Sequence, residues 1–285
     1  MPSLRAPDGR RIAWEEAGGG VPLLCHPGGP GASGSYFGDL AELAAERTVL
    51  LLDPRGTGAS DRPADPDGYD LSDYVADVEA VRNHLGLARL DVLGHSHGGF
   101  VAMAWASAHA GRVGRLVLSN TAARFTDAIR QARQAVIDSY AREPWYADAL
   151  AALEAHQAGR YADDAELAAL LEREVPFYFP RWREEEQAMA RRLLAAGFNA
   201  DALRHFNERI AAGMDLRPGL ARVTAPALVI TGERDPFGEC TAKEIAGELP
   251  NATVVVLPGA GHFLFGDPAN RQLWARAILD FLAAE

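Results

Sequence analysis

The residues most able to do chemistry stand at the ends of short apolar runs. Leu90-Asp91-Val92-Leu93-Gly94-His95-Ser96-His97-Gly98-Gly99 ends one such run with the pattern G-x-S-x-G and leads into Phe100–Ala110, which reads as a buried helix. A sharp turn from strand to helix strains the backbone at the serine, so glycines on both sides avoid clashes and the hydroxyl is left exposed. The helix N-terminus there favours negative charge through its dipole and free N–H groups. Ser96 is therefore a candidate nucleophile for acyl transfer, with an ordinary Gly-Ser turn as the alternative.

A serine hydroxyl is a weak nucleophile at neutral pH and needs a base within hydrogen-bond reach. Of eight histidines, His84, His109, His156 and His205 fall in predicted helices, where a surface or satisfied core role is expected. His95 and His97 flank Ser96 and should point away from it, and His26 belongs to a separate glycine loop. That leaves His262, on the glycine-rich stretch Val256-Leu257-Pro258-Gly259-Ala260-Gly261-His262-Phe263 beyond the last predicted strand. The acid that orients it is expected at the end of the preceding strand, where Asp235 is the candidate and Glu233 its rival. Ser96, Asp235, His262 is the nucleophile, acid, base order of the α/β-hydrolase triad.

The loop Cys25-His26-Pro27-Gly28-Gly29-Pro30-Gly31 follows another strand and lets backbone amides approach a developing oxyanion. Gly29 and His97 N–H are the expected donors, with Gly28 as substitute, each worth on the order of 3 kcal/mol. The same loop contains a competing pattern, Gly29-Pro30-Gly31-Ala32-Ser33-Gly34, which satisfies G-x-G-x-x-G with Asp53 at a ribose-binding spacing. A dinucleotide-binding protein is thus the alternative of a different class, although Pro27 and Pro30 stiffen the turn and Ser96, Asp235 and His262 go unexplained. Asp53-Pro54-Arg55-Gly56-Thr57-Gly58-Ala59-Ser60 reads as a structural fastening, the alternative being direct substrate contact by Arg55.

Positioning these groups calls for an α/β fold: a mostly parallel central sheet flanked by helices. The expected strands are Arg11–Glu16, Pro22–Cys25, Thr48–Asp53, Leu90–Leu93, Arg115–Ser119, Ala227–Thr231 and Thr253–Leu257. Leu71–Leu85, stopped by Gly86, and Asn270–Leu282 have helical apolar spacing. Residues 122–218 break the alternation, being rich in Ala, Arg and Glu with helical periodicity, and read as a helical cap inserted between core segments 1–121 and 219–285. Within it, Val175-Pro176-Phe177-Tyr178-Phe179-Pro180-Arg181-Trp182 gathers aromatics between prolines, either as cap core or as an apolar wall over the site.

Composition narrows the partners. A formal charge of -11 over 285 residues disfavours nucleic acid and anionic membranes, which require concentrated positive charge. The N-terminus lacks the apolar stretch of a secretory signal, and no run approaches the roughly 18 apolar residues of a membrane span, so a cytoplasmic enzyme is expected. Cys25 and Cys240 suit a buried thiol and a loop thiol better than a disulfide. No cluster has metal-ligand spacing, and the chemistry requires no cofactor.

Taken together, Gly28-Gly29-Pro30-Gly31 after His26, Asp53-x-Arg55-Gly56-x-Gly58-x-Ser60 and the Gly94–Gly99 elbow resemble the proline iminopeptidase (S33 aminopeptidase) family of α/β-hydrolases. The resemblance implies cleavage of an N-terminal aminoacyl amide bond in a small molecule or short peptide whose free amine is held by acidic side chains near the cap. Glu208 resembles the family's cap glutamate, its alternative being a solvated helix face. Pro27 and Pro236 depart from the family's pattern, Pro236 standing where the family has a second amine-binding glutamate, a substrate-binding role the resemblance passes to Glu239 three residues further on. Related enzymes act on aminoacyl natural products or on simple esters, so a carboxylesterase is the nearest alternative. Oligomeric state is left open.

Overall fold

A computed structural model describes residues 1–284. Eight strands, β1 (Ser3–Arg5), β2 (Arg11–Gly18), β3 (Pro22–His26), β4 (Thr48–Asp53), β5 (Leu90–His95), β6 (Val113–Ser119), β7 (Ala227–Gly232) and β8 (Ala252–Leu257), form one sheet in the order β1-β2-β4-β3-β5-β6-β7-β8. The β1/β2 and β2/β4 pairs are antiparallel and the remaining five parallel. All seven expected strands are present. The extra one, β1, has a single buried side chain, Leu4, and so carries no periodic signal.

Strands covered on both faces read as continuous apolar runs, and β4, Thr-Val-Leu-Leu-Leu-Asp, does so. Its side chains alternate between two cores: Leu50 and Leu52 join Trp14, Val78 and Trp105 on one face, and Val49 and Leu51 join Leu43, Trp274 and Ile278 on the other. The covering helices are α1 (Ala41–Ala44), α2 (Leu71–His84) and α3 (His97–Ala108) before the insertion. After it come α9 (Arg217–Leu220), α10 (Gly238–Glu248) and α11 (Arg271–Ala283). Gly86 at φ 66° follows α2 in the left-handed conformation a helix stop favours.

Between β6 and β7 lie α4 (Asp127–Asp138), α5 (Tyr146–Gln157), α6 (Asp164–Glu174), α7 (Glu184–Leu194), α8 (Ala200–His205) and a π turn, Phe206–Ile210. An isolated bridge of Ala32 with Phe198 ties this helical segment back to the sheet domain, and another, Arg124 with Asp215, joins the two ends of the segment. Its aromatic stretch divides. Phe177 packs with Ile137, Tyr140 and Leu153 inside the segment, whereas Phe179 joins the core beside α11 and Tyr178 faces the histidine loop.

Two expectations are corrected. Asp53 is no ribose ligand: its oxygens accept from Gly34 N–H (2.9 Å) and Ala59 N–H (2.7 Å), and Gly34–Phe37 forms only a short 3₁₀ turn. Cys240 stands exposed in the first turn of α10 and not in a loop. Arg55 is a fastening, as its guanidinium meets Asp77 at 2.8 Å and donates to the Gly68 and Asp73 carbonyls. At 3% side-chain exposure it has no free face for a substrate.

Candidate active site

The C-terminal ends of the adjacent strands β5, β6, β7 and β8 bring Ser96, Asn120, Asp235 and His262 together. Ser96 caps α3 at φ 52°, ψ −116°, a conformation that non-glycine residues adopt rarely and at a cost of order 1–3 kcal/mol. The surroundings hold it there. Its N–H donates to Ser119 O (3.0 Å), and its carbonyl accepts from Gly99 N–H (2.9 Å) and Thr121 Oγ1 (2.8 Å). Neither neighbouring glycine tolerates a Cβ: at Gly94 it would lie 2.3 Å from Gly98 O, and at Gly98 2.2 Å from His26 O. The elbow serine is half-buried between buried neighbours.

His262 Nδ1 lies 3.0 Å from Asp235 Oδ1, both residues buried. That contact assigns the proton to Nδ1 and leaves Nε2 free as acceptor. Asp235 also accepts from Phe237 N–H (3.0 Å), Thr231 Oγ1 (3.3 Å) and Asn120 Nδ2 (2.5 Å). Burial opposes ionisation of the carboxyl, yet the neighbouring His262 and these donors outweigh it and hold its pKa below the ordinary value. Glu233 is exposed and accepts from Gly259 N–H (2.8 Å), which excludes it as the orienting acid. Among the described residues no hydrogen bond joins Ser96 Oγ to His262 Nε2; in unliganded sites such contacts are often long and tighten with substrate.

The glycine loop lies against the elbow. A Cβ on Gly28 would come within 3.0 Å of Ser96 Cβ, and Gly29, at φ 49°, packs near Phe198. His97 N–H opens α3 beside them. Phe206 turns inward on Phe100, so Glu208, two residues on, is exposed, and Glu239 is exposed and paired with Lys243 at 2.7 Å.

Residues 21–269 match a family described as alpha/beta hydrolase fold. The chain belongs to the α/β-hydrolase family. Within it, a proline iminopeptidase from Levilactobacillus brevis is 26% identical over 261 residues, covering 88% of this chain and 86% of that relative. A proline iminopeptidase from Heyndrickxia coagulans is 39% identical over 92 residues, only 32% of either chain, so the chain matches about a third of that relative's length. The solved enol-lactonase from Burkholderia xenovorans LB400 is 25% identical with a TM-score of 0.76, covering 99% of this chain and all of that one. An esterase from Rhodococcus, 22% identical with a TM-score of 0.78, shares the fold.

Two features of this α/β-hydrolase site escaped the sequence reading. His95 does not point idly away: its Nδ1 meets Tyr36 OH (2.9 Å), its Nε2 meets His262 O (2.9 Å), and burial lowers its pKa to about 3. Asn120, at φ 50°, reaches both Asp235 and Gly261 O (3.2 Å). Its position at the end of a predicted strand was the available signal. The sequence also concealed an aromatic path. From His97 through Phe206, Phe125 and Phe237 to His262, successive ring centroids stand 5.3, 6.4, 6.2 and 5.7 Å apart.

Proposed function

We propose that the protein is a serine hydrolase of small acyl substrates, ester, lactone or amide, working through an acyl-enzyme on Ser96 with residues 122–218 as its cap. The observation that carries this reading is the strained Ser96 at a helix N-terminus, set beside a buried Asp235–His262 pair on neighbouring strand ends. Ser96 Oγ attacks the acyl carbon as His262 Nε2 takes its proton. Gly29 and His97 N–H stabilise the oxyanion, with Gly28 lending the close approach. The tetrahedral species collapses, His262 protonates the leaving group, and the same base then activates water to release the acid, while Asp235 stabilises the imidazolium. The aromatic path between His97 and His262 supports an apolar wall for the acyl group.

The aminopeptidase reading rests on the proline iminopeptidase relatives. It needs a partly desolvated carboxylate to hold an ammonium group, and Glu208 and Glu239 are both exposed, the second paired with Lys243. The geometry therefore favours a substrate without a free amine. The test is a panel of Pro-, Ala- and Gly-4-nitroanilides, their N-acetyl forms and short 4-nitrophenyl esters, each run against Ser96→Ala. Ester turnover indifferent to an amine and abolished in Ser96→Ala, together with Ser96-dependent fluorophosphonate labelling, is the expected result. Cleavage that requires the free amine would restore the aminopeptidase, and absence of labelling in folded protein would remove the hydrolase altogether.

A further inference from the structure

Helix α4 opens the inserted segment, and only four of its residues are not exposed: Ile129, Arg133, Val136 and Ile137. Their spacing, i, i+4, i+7 and i+8, is the inward stripe of an amphipathic helix. An arginine in the middle of such a stripe is out of place. Arg133 is half-buried, and a partly buried charge without a partner is costly. Among the described residues Arg133 has no carboxylate within 4.0 Å, although the chain carries 39 acidic residues against 28 basic ones. Among the described residues its one side-chain hydrogen bond is a long one, Nη2 to Tyr178 OH at 3.4 Å.

Tyr178 leads from Arg133 to the catalytic base. Its ring centroid is 5.5 Å from that of His262, and its carbonyl accepts from His262 N–H at 3.0 Å. Across the hydroxyl, at 3.5 Å, stands the buried Glu174, but both its oxygens are engaged by His156 Nδ1 at 2.9–3.0 Å. The guanidinium thus stands one side chain beyond His262 with its donors largely uncommitted. Arginine presents a planar fork of donors matched to a carboxylate.

We infer that Arg133 recognises a carboxylate on the acyl substrate, several carbons from the scissile carbonyl, so that the substrates are half-esters, lactones or amides of dicarboxylic acids. The inference rests on the hydrolase reading above and narrows its substrate class. Kinetics come first: 4-nitrophenyl monoesters of glutarate and adipate are compared with 4-nitrophenyl pentanoate and hexanoate, in wild type, Arg133→Met and Arg133→Lys. The wild type is expected to favour the anionic ester at least tenfold in kcat/KM, carried mainly by KM. Arg133→Met should bring the ratio near one, and Arg133→Lys should retain part of the preference. No anionic preference in the wild type, or one that survives in folded Arg133→Met, overturns the assignment.

Binding supplies a readout independent of turnover. Titration calorimetry of monomethyl adipate and methyl hexanoate against Ser96→Ala, with and without Arg133→Met, should show tighter binding of the anion that is lost with the arginine. If no ester is turned over and Ser96 takes no fluorophosphonate label, the hydrolase reading has failed, and this titration alone decides. Equal binding of the two ligands, no binding of the anion, or binding unaffected by Arg133→Met removes the carboxylate site.

Discussion

A carboxylate as enclosed as Asp235 stays ionised only if donors reach both oxygens. Asn120 supplies one of them from the end of β6 and steadies the histidine loop through Gly261 O. Replacing it by Ala leaves a buried charged acceptor short of a partner, at about 1–3 kcal/mol, and removes the short polar side chain that lets Asn tolerate the left-handed region at φ 50° better than Ala does. Asn120→Gly avoids that second cost. Urea unfolding should therefore rank wild type above Asn120→Gly and Asn120→Gly above Asn120→Ala. Both variants should lose kcat by about tenfold, roughly 1.4 kcal/mol of transition-state stabilisation. An unchanged kcat in a stably folded variant would show that Asp235 needs no help from β6.

Glycines that look alike in the sequence do different work in the elements they join. Gly98 lies in the first turn of α3, where an added methyl would meet the His26 and Pro27 carbonyls at 2.2 and 2.6 Å. These are backbone atoms of the glycine loop proposed to carry the oxyanion donors. Gly98→Ala should drive that loop from the elbow, costing about 1–3 kcal/mol by overpacking and, through displaced donors, most of the ester turnover. Gly86, beyond α2, holds φ 66° but has open space on its Cβ side, with nothing within 4 Å of where a methyl would sit. Gly86→Ala should cost on the order of 1 kcal/mol for its backbone conformation and leave turnover intact. Paired urea unfolding and ester assays separate the two effects, and equal activity losses would contradict them.

Across the whole molecule, three imidazoles are sealed beneath the site in their neutral form. Burial lowers His26 to about 4, His95 to about 3 and His97 well below the ordinary value of 6.5. Between these values and 6.5 the unfolded chain binds more protons than the folded one, so stability rises with pH there. Their contribution is complete well above pH 6.5 and is lost progressively as pH falls through it, each tenfold change in proton affinity being about 1.4 kcal/mol. Asp235, with its pKa depressed, acts in the same sense at lower pH: its contribution is present above its unfolded value and lost as pH falls through the folded one. Unfolding free energies measured in urea at pH 7.5, 6.5, 5.5 and 4.5 should fall slightly over the first interval and more steeply over the last two. A flat profile to pH 4.5 would mean that these imidazoles are not held neutral.

The sequence by itself determined the sheet, the elbow and the order of the site residues, because these are local matters. Strand runs such as Thr48–Asp53 are continuous and apolar, Gly94 and Gly98 bracket Ser96, and the glycine-rich approach to His262 follows a strand. Glu208, Glu239, His95, Asn120 and Arg133 depended on the tertiary structure. Whether an acid faces a site or solvent turns on helix phase and on partners distant in the chain. Phe206 faces inward and Glu208 outward within one π turn, and His95 meets the carbonyl of His262 from 167 residues away. Arg133 has its meaning from Ile129 and Ile137 on the same buried stripe and from Tyr178 across the fold, a juxtaposition that long-range packing creates and local sequence patterns do not encode.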